Sequence, residues 1–126
     1  MDRVQIVKGW LDGEGEMKEQ VYDVLCSDDR AINSEHRCDT PVGNTVNVEQ
    51  ATFTNSIGDA LMLAYWKAPA FSPDQRAFYY VRVLEIPTPR WTNYDAAFFG
   101  VALPEGVEPT QQERAYTSPN WYTPKG

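Results

Sequence analysis

The chain has 126 residues, enough for one domain with a real core, and its 42% hydrophobic and 23% charged content is that of an ordinary globular protein, so disorder is excluded as the default. Eighteen acidic and 11 basic side chains leave a net charge of −7, and the basic residues are scattered, which argues against a phosphate-backbone partner. No apolar stretch approaches the ~20 residues that span a bilayer, and "MDRVQIVKGW" lacks the apolar core of a secretory leader.

"RVQIVKGWLD" alternates, with Val4, Ile6 and Lys8 on one side and Gln5 and Val7 on the other. "DGEGE" from Asp12 is a glycine turn, and "QVYDVLCSD" resumes as a strand from Gln20 to about Cys26. Together they predict a β-hairpin with a loop longer than two residues. From Ser27 to Gly43 the chain is polar and aperiodic, which predicts a long loop. "TVNVEQATFTNSIG" returns to alternation, Val46 and Val48, then Ala51 and Phe53 after an irregularity. "DALMLAYWKAP" permits a helical turn, but its aromatics favour a buried strand. "FSPDQR" is a turn by its Pro73 and Asp74.

Phe78 to Ile86 is the clearest strand. Phe78, Tyr80, Arg82, Leu84 and Ile86 share one side and Tyr79, Val81, Val83 and Glu85 the other, a mostly apolar pattern that predicts a central strand covered on both faces. Arg82 and Glu85 are then charges that need partners, and Arg90 or Arg114 is the expected partner of Glu85. Pro87 and Pro89 cannot donate to a ladder and should end it. Thr92 or Asn93 is a candidate cap for a short helix, "NYDAAFFG", closed by Gly100. "VALPEGVEPTQQ" is a connector, and "ERAYTSPNWYTP" an extended aromatic tail. The fold class is therefore mostly β, a sandwich-like or curved antiparallel sheet with one short helix, in a single domain over residues 1–126.

Chemistry-bearing motifs are sparse. Cys26, Asp28, Asp29, His36 and Cys38 share one loop, but with one His and no C-x-x-C pair they do not make a zinc motif, and no metal or other cofactor is expected. Two cysteines do not form a disulfide framework. They pair if the chain is exported and stay reduced in a cytoplasm, where the absence of a leader places it. His36 has no identifiable orienting group, so a catalytic triad is not supported. Glu85 is a candidate general acid if buried, but an ion pair with Arg90 or Arg114 is the favoured reading, since structural networks perturb carboxylates too. The best set of binding or interface residues gathers around the prolines and tail: Arg82, Glu85, Arg90, Trp91, Tyr94, Arg114, Tyr116, Trp121 and Tyr122. Aromatics and arginines of this kind line ligand pockets and anchor subunit contacts.

"DRVQIVKGW" at Asp2, "VYDV" at Val21, "PVGNTV" at Pro41, "RAFYYVRVLEIPTPRWT" at Arg76 and "QERAYTSPNWYTP" at Gln112 resemble the bacterial family catalogued as domain of unknown function 3604, over nearly the whole chain. Its longer members are often exported and resemble, upstream, the metal-dependent phosphoesterases of the polymerase and histidinol phosphatase superfamily. The resemblance makes this chain their C-terminal accessory segment. The histidine-rich metal motifs belong to the upstream part, so hydrolase activity does not carry over. "SEHRCDT" departs from the family pattern, which leaves His36 and Cys38 without support. Strands preceding "DRVQIVKGW" in the family imply exposed sheet edges here, and hence a homodimer. The functional expectation is a non-catalytic module acting in binding or assembly. The alternatives are a fragment complementing a separate phosphoesterase-like chain, or a small hydrolase built around Glu85 and Arg90.

Overall fold

The computed structural model describes residues 1–125. Its first two strands, β1 (Arg3–Leu11) and β2 (Met17–Cys26), form the expected antiparallel hairpin. Asp12 shapes the turn: its Oδ1 accepts from the amides of Glu14 and Glu16, each at 2.9 Å. β3 (Ala77–Leu84) pairs with the other edge of β1 along nearly its whole length. Two short tail strands, β6 (Arg114–Tyr116) and β7 (Asn120–Tyr122), follow one another along the far edge of β3. Thr117 bridges the step between them, its amide donating to the Val81 carbonyl and its Oγ1 accepting from the Val81 amide. The result is a five-stranded antiparallel sheet in which β3 is central.

A register shift between Val4 and Gln5 gives β2 one extra residue there, so that Asp23 stands opposite Gln5. From that point one face of the sheet carries Gln5, Val7, Gly9, Asp23, Phe78, Tyr80, Arg82, Tyr116 and Trp121. The opposite face carries Ile6, Lys8, Tyr22, Tyr79, Val81 and Tyr122. Residues 62–75 cover this second face. The Trp66 ring lies 5.4 Å from Tyr22 and 6.4 Å from Tyr79, and Phe71 lies 5.0 Å from Tyr122. Lys8 is buried beneath this layer, its Nζ donating to the Ala70 carbonyl at 2.7 Å and resting 4.7 Å from the Trp10 ring. The alternation read for β1, Val4, Ile6 and Lys8 against Gln5 and Val7, is the one the register shows.

The long polar loop after β2 is present. Asp28, Asp29 and His36 adopt left-handed backbone conformations within it, and Ile32 bridges to Cys38. Two expected strands are absent. Residues 45–54 make one isolated bridge, Asn47 to Thr52, because Asn44, Thr45 and Asn47 spend their side chains on nearby backbone groups and bend the chain into turns. "DALMLAYWKAP" forms neither strand nor helix. Met62 and Trp66 pack inward, while no backbone–backbone hydrogen bond involves residues 60–69 among the described residues.

The β3 ladder ends at Leu84, before the prolines, as expected. Beyond it β4 (Thr88–Pro89) pairs with β5 (Thr110–Gln111) in a separate two-stranded sheet, and the Arg90 amide donates to the Pro109 carbonyl, which leaves Pro89 at a position where no amide is needed. The helix α1 (Trp91–Phe99) starts earlier than Thr92 or Asn93 would cap it. Its N-cap is Arg90, whose carbonyl accepts from the Asn93 and Tyr94 amides. Gly100 closes it in the left-handed conformation (φ 64°), as expected of a C-terminal glycine. The protein is thus mostly β, with antiparallel sheets and one short helix. The expectation that β3 is covered on both faces is corrected: the face bearing Phe78 and Tyr80 is half exposed.

Candidate functional site

The sheet's half-exposed face is divided into two parts. At one end is a buried polar network that the sequence reading did not find. Gln5 Nε2 donates to Asp23 Oδ1 at 2.5 Å, and Gln5 Oε1 accepts from Arg82 Nε at 2.6 Å. Asp23 Oδ2 also accepts from the Cys38 amide at 2.8 Å and lies 3.5 Å from Arg37 Nε. Beside it, Asp2 takes Arg30 Nη2 at 2.6 Å and Gln112 Nε2 at 2.8 Å. Gln5, Asp2, Asp23 and Ser27 are all buried. Every carboxylate in the network has cationic or amide partners, which is what makes its burial tolerable. The network ties β1, β2, β3, the long loop and the connector before β6 together. A polar residue inside an alternating strand, as at Gln5, is the signal that could have revealed it.

Cys26 and Cys38 are joined in a disulfide across that loop, 12 residues apart. Of the two outcomes that the sequence left open, bonded or reduced, the structure has the bonded one. The Asp23 carboxylate lies near both sulfurs, but disulfide sulfurs are not the thiolates a zinc site requires. His36 is exposed and packs its ring 5.1 Å from Tyr22.

At the other end the face is aromatic. Trp121, Phe78, Tyr80 and Tyr116 run in sequence with ring centroids 5.1, 6.4 and 6.2 Å apart, and the Phe78 and Tyr80 planes differ by only 9°. Gly9 makes this possible. A Cβ on Gly9 would fall 2.3 Å from Phe78 Cζ, so the ring lies over bare backbone. The row opens at Phe78 into a groove of about 510 Å³ lined by Trp10, Leu11, Met17, Trp121 and Tyr122, with Arg76, Lys18 and Glu19 also in its wall.

The expected site residues therefore fall in three places. Arg82, Tyr116 and Trp121 share the aromatic face, and Tyr122 reaches its groove from the adjoining register position. Arg90, Trp91 and Tyr94 belong to α1 and its cap, with Trp91 and Tyr94 exposed. Glu85 and Arg114 lie at the end of β3 and on β6. Glu85 is exposed, and its ion pair is with the Met1 amine at 3.5 Å; none joins it to Arg90 or Arg114 among the described residues. Phe78, Tyr80 and Gly9 carry no signal in the sequence beyond their strand pattern, because their convergence depends on cross-strand register.

Burial raises the pKa of the Tyr22 and Tyr79 hydroxyls on the covered face and lowers that of Lys8. The Tyr79 hydroxyl is buried without a hydrogen-bond partner. No helix among the described residues is long and apolar enough to cross a membrane.

The family described as "Protein of unknown function (DUF3604)" matches residues 1–124, and the chain belongs to it. No curated protein and no solved structure matches the chain.

Proposed function

We propose that this member of the DUF3604 family is a non-catalytic module that acts in assembly, pairing with a second copy of itself along residues 60–69. One observation carries the reading. Leu61, Leu63 and Tyr65 are 86%, 91% and 94% exposed on a segment whose backbone makes no hydrogen bonds to other backbone among the described residues. Apolar side chains and unpaired amides together are what strand addition uses: the backbone supplies affinity and alternate side chains supply specificity. A second copy brings the same segment, so two such edges can satisfy one another about a twofold axis.

The hydrolase alternatives have less support. Glu85 faces solvent, and no hydrogen bond or ion pair joins it to Arg90 or Arg114 among the described residues. The disulfide bears on location. A closed Cys26–Cys38 bond supports an oxidising compartment rather than the cytoplasm.

Amide hydrogen exchange tests the assembly reading at its site. Residues 60–69 should become protected as protein concentration rises, while the exposed turn after Asp12 exchanges at the same rate throughout. Exchange along 60–69 that is fast at every concentration would remove the reading.

A further inference from the structure

The aromatic face lies on the opposite side of the sheet from residues 60–69, so assembly through that segment leaves it open. Its residues combine two properties seldom placed together by packing alone. Four rings form a continuous row, Phe78 and Tyr80 nearly parallel and the end rings tilted by 50° and 45° to them, with Trp121 75% exposed at one end and Tyr116 exposed at the other. Around that row stand polar groups without partners. The two Nη groups of Arg82 have no hydrogen bond among the described residues, its Nε alone being held by Gln5. Glu19 and Arg76, in the wall of the groove, form no ion pair among the described residues, and the hydroxyls of Tyr80 and Tyr116 are likewise without protein partners. A core-like protein contact would leave these charges desolvated and unpaired. A ligand with apolar faces and hydroxyl edges would use both properties.

The geometry points to a neutral oligosaccharide chain, laid along Trp121, Phe78, Tyr80 and Tyr116 with one end in the groove beside Leu11 and Met17. The C–H faces of pyranose rings stack on aromatic planes, and their hydroxyls both donate and accept, matching Glu19, the Arg82 guanidinium and the tyrosine hydroxyls. Ring-to-ring steps of 5.1–6.4 Å let neighbouring sugars of one chain reach neighbouring aromatics. The charge of the chain selects among polymers. At −7 it repels polyanions, including nucleic acids, whose bases would otherwise suit the same row. Gly9 sets the depth of the site, because any side chain there would lift Phe78 out of line.

The test is native gel electrophoresis of the whole chain through gels cast with hydroxyethylcellulose, xyloglucan or soluble starch. At least one polymer should retard the band. Trp121→Ala removes an exposed ring and should keep the fold, read by circular dichroism, while weakening retardation by about tenfold, the loss of one good aromatic contact. Gly9→Ala should weaken it too. A Leu63→Asp chain should still be retarded, which separates sugar binding from self-association. No retardation in all three gels, or equal retardation of wild type and Trp121→Ala, would overturn the proposal.

Discussion

Arg30 Nη2 sits 2.6 Å from Asp2 Oδ1, and both side chains are nearly removed from solvent. Arg30 comes from the long loop and Asp2 from the residue before β1. The same guanidinium also donates to the Asp2, Ser27 and Thr40 carbonyls. One side chain therefore fastens a 17-residue stretch of polar sequence that lacks regular structure.

Arg30→Ala would leave a buried carboxylate short of its main cation. The expected loss is about 3 kcal/mol, at the lower end for a broken buried pair because Gln112 and Arg3 still contact Asp2. Urea unfolding measures it. Arg30→Lys should recover only part of the loss, since an ammonium cannot reproduce the forked contacts.

Reduction of Cys26–Cys38 should lower stability by about 2–3 kcal/mol, the effect of freeing a short closed loop in the unfolded chain. Urea midpoints with and without reductant give the number, and Cys26→Ser should match the reduced wild type. An unchanged midpoint would show that the thiols are free in solution.

Much of the architecture can be read along the chain, because a half-buried strand writes its faces in alternate residues. β1, β2 and β3 were legible for that reason, as were Gly100 as a helix stop and the turn at Pro73. Val46 and Val48 also alternate, yet Asn44 and Asn47 bend the backbone locally and no ladder forms. Trp121 and Tyr116 were legible as candidates by residue type. What they join was not, since Phe78, Tyr80 and Gly9 meet them only through the pairing of β3 with β1, β6 and β7.

The Tyr79 hydroxyl is buried without a partner, so Tyr79→Phe removes a desolvated group and no hydrogen bond. Stability should be unchanged or rise by about 1 kcal/mol. A loss above that size would mean that the hydroxyl is bonded.

Alkaline pH should destabilise the fold through Tyr22 and Tyr79. Their folded pKa values are raised by burial, so above pH 10 the unfolded chain releases these protons first. The stability they contribute is complete below pH 10 and is lost as pH rises through the folded values. Lys8 works in the opposite direction: its lowered folded pKa makes stability rise with pH up to its ordinary value of 10.5. Tyrosinate absorbance of the folded protein should show a component that titrates above the ordinary tyrosine range, and Tyr22→Phe should diminish it. A folded protein with no such late component would contradict this.

Assembly through Leu61, Leu63 and Tyr65 is the central claim, and solution mass tests it most directly. Light scattering over a concentration series should give a species at twice the 14.3 kDa chain mass, and Leu63→Asp should return it to a folded monomer. A wild-type chain that stays a well-folded monomer at every concentration would contradict the account.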